Sequence, residues 1–167
     1  MAEDPLRNLR ALRHKVAHHA DRVMASHAAR FACRAGCDGC CQTERTVTDV
    51  EFAALAPAVA ALSPDTRAAL REAQGQGCSL LLDGRCAVYA ERPLICRSHG
   101  LPLVMEGQLD VCPLNFTDTP LEALPSADVL SVDTVTAVLV AVNQLFCQET
   151  EGDARRRRPV AELLFEN

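Results

Sequence analysis

The sequence is poor in aromatic residues: it has no tryptophan, one tyrosine and five phenylalanines, so alanine and leucine carry most of the apolar content, which favours helices. A surplus of positive charge is also missing. Lys and Arg number 17 against 22 Asp and Glu, and the resulting net charge of −5 argues against a general nucleic-acid binder. No apolar run approaches the length of a membrane span; the longest, near Val135–Val142, is broken by Thr136. The N-terminus carries Glu3, Asp4, Arg7, Arg10 and Arg13 where a secretory signal would place an apolar core, so the expected compartment is the reducing cytoplasm. G-x-S-x-G, H-E-x-x-H and phosphate-cradling loops are absent as well, which leaves hydrolase and kinase chemistry without support.

What remains is a 167-residue chain with 49% hydrophobic and 23% charged residues, the composition of one folded domain over 1–167. Leu6, Leu9, Leu12, Val16, Ala20 and Val23 recur every three or four residues and predict a helix over 5–31, opened by Glu3, Asp4 and Pro5. Thr48 or Asp49 caps a second helix that Pro57 should kink or split. Ser63-Pro64-Asp65 starts a third, to about Gln74. Asp83-Gly84 and Glu106-Gly107 mark two short hairpins. A late helix spans 131–150, with Val135, Val138, Leu139, Val142 and Phe146 on its apolar face. Gly152–Arg158 reads as a linker in which Arg155–Arg158 is a solvated turn balanced by Glu149, Glu151 and Asp153, and Val160–Phe165 as a short docking helix. The expected fold is mainly α, a small helical domain around an irregular cysteine-rich centre with short β-hairpins.

That centre holds the unusual chemistry. Cys33, Cys37, Cys40 and Cys41 fall within nine residues; Cys78, Cys86, Cys96 and Cys112 follow, and Cys147 lies apart on the late helix. Nine is odd, which disfavours a closed disulfide framework, and structural disulfides are rare in a reducing compartment. Eight of the nine fall in predicted loops and turns, where a thiol serves better as a ligand than as a small core hydrophobe. Cys37-Asp-Gly-Cys40 has the two-residue spacing of a metal knuckle, with Gly36 and Gly39 supplying its tight turns. Arg34, Arg45, Arg85, Arg92 and Arg97 flank the cysteines, as a cluster of thiolates on a divalent ion requires. Neighbouring side chains diverge, so Cys40 and Cys41 should face different sulfur partners: two metal centres, or one centre and a packed thiol.

These residues resemble the YkgJ family of cysteine-cluster proteins, a zinc- or iron-chelating domain with the pattern C-x-x-C-x-x-C-C and a downstream block C-x-[IV]-Y-x-x-R-P-x-x-C-R. The block is matched by Cys86, Val88, Tyr89, Arg92, Pro93, Cys96 and Arg97, and Cys78 and Cys112 match flanking cysteines. The resemblance covers 33–112 and implies a metal core there. The implied ligands are Cys37, Cys40, Cys41, Cys78, Cys86, Cys96 and Cys112, and Cys33 is an eighth whose spacing to Cys37 departs from the pattern by one residue. The cofactor is zinc or iron, the latter alone or in an iron–sulfur cluster with a redox or accessory-enzyme role. The cysteine region is also similar to that of the longer flagellin lysine methylases, but no glycine-rich nucleotide-cofactor segment accompanies it.

Around the thiols, Tyr89 is expected as a buried post that fixes its loop, Arg92 as a charge set against thiolates or carbonyls, and Arg97 as a charge beside the thiols. His99 is the best non-cysteine ligand candidate; His27 could approach the cluster, while His14 and His18, spaced i, i+4, read as a solvated face. Asp38 and Asp49 read as turn and cap residues. Cys147 reads as a core residue, and a thiol beside Arg34 or Arg97 could act as a redox sensor. Nothing in the sequence names a catalytic residue or a protein partner.

Overall fold

A computed structural model describes residues 4–34, 36–75 and 77–166; Glu3, expected at the first helix start, lies outside them. Among the described residues the helices are α1 (Arg7–Ser26), α2 (Asp49–Ala60), α3 (Pro64–Glu72), α4 (Leu94–Ser98) and α5 (Val132–Thr150). Strands are two or three residues long: β1 (Thr46–Val47), β2 (Leu81–Leu82), β3 (Arg85–Cys86), β4 (Leu103–Met105), β5 (Gln108–Asp110), β6 (Leu130–Ser131) and β7 (Arg158–Pro159). The fold is mainly α, and no described helix is long and apolar enough to cross a membrane. The chain divides into two compact units, each discontinuous in sequence: 1–6, 35–93 and 142–167 in one, so far as described, and 7–34 with 94–141 in the other.

In the first unit, Ser63 Oγ accepts the Thr66 N–H at 3.1 Å and Pro64 occupies the first turn, so α3 starts where the sequence indicated. Thr48 stands at the N-cap of α2, but its hydroxyl donates to Glu51 at 3.3 Å. The Val50 N–H is taken instead by Asn143 Oδ1 of α5, at 3.0 Å. Pro57 does not split α2, which continues to Ala60. The core gathers Phe52, Leu55 and Val59 of α2, Leu70 of α3, Leu80 and Val88, and Val160, Leu163 and Leu164 of a closing 3-10 helix.

The supposed linker is more structured than expected. Arg158 lies in β7, which pairs antiparallel with β1. Its guanidinium sits 3.3 Å from the Phe52 ring centroid and pairs with Glu162 and Glu166, so its partners are not the acids first expected. Cys147 is buried, as expected, and burial pushes its thiol up.

In the second unit, Leu9, Leu12, Val16, Ala20 and Val23 are the buried stripe of α1, which packs on α4. The helix ends at Ser26 rather than near Phe31, and a 3-10 turn, Ala28–Arg30, follows. The Glu106-Gly107 hairpin joins β4 to β5, and β6 adds to β4 in parallel. Of the expected apolar face of α5, Val138, in this unit, is exposed, and Val142 and Phe146, in the first, are buried.

Candidate metal centre

In the first unit the crowded cysteine run is shaped by its backbone. Gly36 adopts a φ of 87°, and Gly39–Cys41 forms a 3-10 turn capped by Asp38, whose carbonyl accepts the Cys41 N–H at 2.7 Å. A 3-10 turn rotates the chain by about a third of a turn per residue, so Cys40 and Cys41 point apart. Gly39 itself does not need glycine's freedom: its φ is ordinary, and a Cβ there would meet nothing within 4 Å. Asp38 is the turn residue expected of it, whereas Asp49 is the first residue of α2, the cap position being held by Thr48.

The run is then tied to the next cysteines. The Cys41 carbonyl accepts the Cys78 N–H at 2.8 Å, and the Cys40 carbonyl accepts Arg45 at 2.6 Å. Gly77 permits the first of these, because a Cβ there would stand 2.6 Å from the Cys41 oxygen and its φ is +113°. Cys78 and Cys86 pack against the apolar core, one before and one on the β2–β3 hairpin. Burial pushes both thiols up. The N–H of the residue two positions on, Leu80 for Cys78 and Val88 for Cys86, bonds the sulfur and opposes that shift. Arg92 acts on Cys86 and Arg45 on Cys78 in the same sense, while Cys86 feels Cys40 and Cys78 feels Cys86 and Glu44. Cys86 therefore lies within electrostatic reach of both Cys40 and Cys78, while Cys37 is exposed.

The second unit holds Cys33, Cys96 and Cys112. Cys96 lies on α4, not in a loop; five residues are too few for helical periodicity to show, although Pro93 ahead of Leu94 is a helix-start signal. The Cys112 carbonyl accepts the Asn115 N–H at 2.8 Å, and the Asn115 side chain reaches Cys33, with Nδ2 3.3 Å from Sγ. His99 is exposed just beyond α4.

Several other expected residues are placed differently. Tyr89 is no buried post: it is 63% exposed, with the Arg92 guanidinium 3.9 Å from its ring centroid and Arg92 donating to its carbonyl at 2.9 Å. His27 is engaged elsewhere, 2.9 Å from Asp128 Oδ2 and tilted against Phe116. His14 and His18, by contrast, are exposed as a solvated face should be, and Arg97 is half-buried. The sequence reading missed Asn115, Gly77 and Glu44, whose carboxylate holds the Ser79 N–H at 2.8 Å beside Cys78. Only Gly77, next to a candidate ligand, carried a local signal.

All nine cysteines are described, and no disulfide joins any of them. Among the described residues, no three His, Cys, Asp or Glu side chains already stand together closely enough to hold an ion. The donor set still fits a thiophilic metal: sulfurs presented at tight turns, backbone N–H groups aimed at two of them, and arginines beside them.

The site thus defines a cysteine-rich, thiolate-type stretch. Residues 32–113 match the family model described as "CxxCxxCC: Putative zinc- or iron-chelating domain". The match spans just under half of the chain and takes in every cysteine except Cys147. Comparison with curated proteins and with solved structures gives no match.

Proposed function

We propose that this protein is a YkgJ-type cysteine-cluster protein that chelates zinc or iron through the thiolates of Cys37, Cys40, Cys41, Cys78, Cys86, Cys96 and Cys112, with Cys33 as an eighth. The observation that carries this reading is the Cys41–Cys78 junction. A backbone hydrogen bond and a glycine with no room for a side chain bring the first cysteine run to the Cys78–Cys86 hairpin. Arg45 and Arg92 favour the deprotonated sulfurs there, which offsets part of the cost of gathering thiolates. Ligands must still close on the ion, so metal binding doubles as local folding, worth on the order of 10 kcal/mol for a structural zinc site. Arg92 supplies charge to the site, and Tyr89 shields that guanidinium from one side. The role is that of a binding protein rather than a catalyst.

Anaerobic purification followed by metal and sulfide analysis tests the reading. Stoichiometric zinc, lost on Cys40→Ser or Cys78→Ser, is the expected result for a zinc site; colour with matching iron and acid-labile sulfide identifies an iron–sulfur cluster instead. A colourless protein without either metal, or unchanged metal content in both variants, overturns it.

A further inference from the structure

Asn115 lies just outside the stretch that matches the chelating domain, yet it is one of the most deeply buried polar side chains in the chain, at 2% exposure. Its amide is fully used. Oδ1 accepts the Ala32 N–H at 2.8 Å and the Cys33 thiol at a longer 3.8 Å, and Nδ2 donates to the Gly100 carbonyl at 2.7 Å and to Cys33 Sγ at 3.3 Å. The bonds to Ala32 and Gly100 are ordinary amide bonds. The one from Nδ2 to Cys33 spends a buried donor on sulfur, which is a weak acceptor as a thiol and a strong one as a metal-bound thiolate.

The surroundings are shaped to keep that sulfur in place. A Cβ at Gly100 would stand 2.8 Å from Cys33 Sγ and 3.1 Å from Asn115 Nδ2, so a side chain there would push the sulfur or the amide aside, and its φ of +95° favours glycine. Phe116, next in sequence to Asn115, holds a φ of 52°, which is strained for a bulky aromatic. It is kept there by its N–H bond to the Arg30 carbonyl at 3.0 Å and by an edge contact with Phe31, ring centroids 5.2 Å apart. Such strain persists where the surrounding structure over-determines it, and here it fixes the backbone from which the Asn115 side chain leaves.

We infer that Asn115 is the positioning residue of Cys33, the eighth ligand of the proposed site, donating an N–H to its sulfur from a cradle closed by Gly100. This resolves the one cysteine whose spacing departs from the pattern, and it rests on the proposed chelating function. A donor of this kind orients its ligand and stabilises the thiolate, and its loss lowers metal affinity by about 10–100-fold.

The test uses the full chain purified anaerobically with the metal it carries, titrated with a competing chelator. Asn115→Asp keeps the Oδ1 acceptor for Ala32 and removes both donors. It should weaken metal retention by about 10–100-fold, Cys33→Ser should do so at least as strongly, and the double variant should be no weaker than Cys33→Ser alone. A purely structural role for Asn115 would give additive losses and overturns the inference, as does wild-type affinity in either single variant. Should Asn115→Asp not fold, alkylation of the wild type decides: Cys33 must be protected in the metal-loaded protein and modified after chelation, and equal labelling in both states overturns the proposal. A wild type that carries no metal sinks this inference and the chelating function together, whereas a metal-loaded wild type with unaltered variants sinks this inference alone.

Discussion

Gly77 and Gly39 look alike in the sequence, each one residue before a cysteine, yet their backbones ask for different things. At Gly77 an added methyl would meet a carbonyl oxygen at 2.6 Å in a backbone region that L-residues avoid, while at Gly39 it would meet nothing. Gly77→Ala is therefore expected to destabilise the protein by on the order of 2–3 kcal/mol, and Gly39→Ala by less than about 0.5 kcal/mol. Urea unfolding midpoints of the two variants check this, and equal midpoints would show that the Cys41–Cys78 approach is dispensable. The motif's glycines were legible as turn signals, but which one the fold depends on was not. That depends on an oxygen brought back across two helices. Asn115 was hidden for the same reason: its partners Ala32 and Cys33 lie more than eighty positions away.

At the scale of elements, what could be read was what is local. Ser63-Pro64 set the start of α3, and Asp83-Gly84 and Glu106-Gly107 made hairpin turns with positive φ at both central residues. What could not be read is closed by distant residues: the cap of α2 supplied by Asn143, the parallel β4–β6 pair, and the β1–β7 pair that turns an expected linker into a strand. The end of α1 is another such closure. Asp128, buried before β6, takes His27 and Arg22 from α1 and the turn that follows it. Those hydrogen bonds, His27 first and Arg22 second, hold its carboxyl below the usual aspartate range. A carboxyl depressed in the folded state stabilises fully above its unfolded value of about 3.9 and ceases to do so as pH falls through the lower folded value. The wild type should thus lose stability between pH 5 and pH 2 more steeply than Asp128→Asn. Denaturant midpoints across that range measure it, and parallel curves would remove Asp128 from the acid response.

Over the whole molecule, the eight thiols of the matched stretch are shared between two compact units: Cys37, Cys40, Cys41, Cys78 and Cys86 in one, and Cys33, Cys96 and Cys112 in the other, which also contains His99. Three thiolates and an imidazole make a complete tetrahedral set for zinc. If each unit serves its own centre, Cys40→Ser and Cys96→Ser will each remove part of the bound metal and spare the rest. Metal analysis of the two variants checks this expectation, and complete loss in either one would show a single centre.

The meeting of Cys41 with Cys78 has one more effect, on the chain before it folds. Between those cysteines lie α2 and α3 in full. A metal held jointly by the first run and the hairpin would act as a crosslink around them, removing roughly 4 kcal/mol of chain entropy from the unfolded ensemble for a loop of this size. The ion would then stabilise two helices that contribute no ligand to it, and stripping it would destabilise them together with the core they share with Cys78 and Cys86.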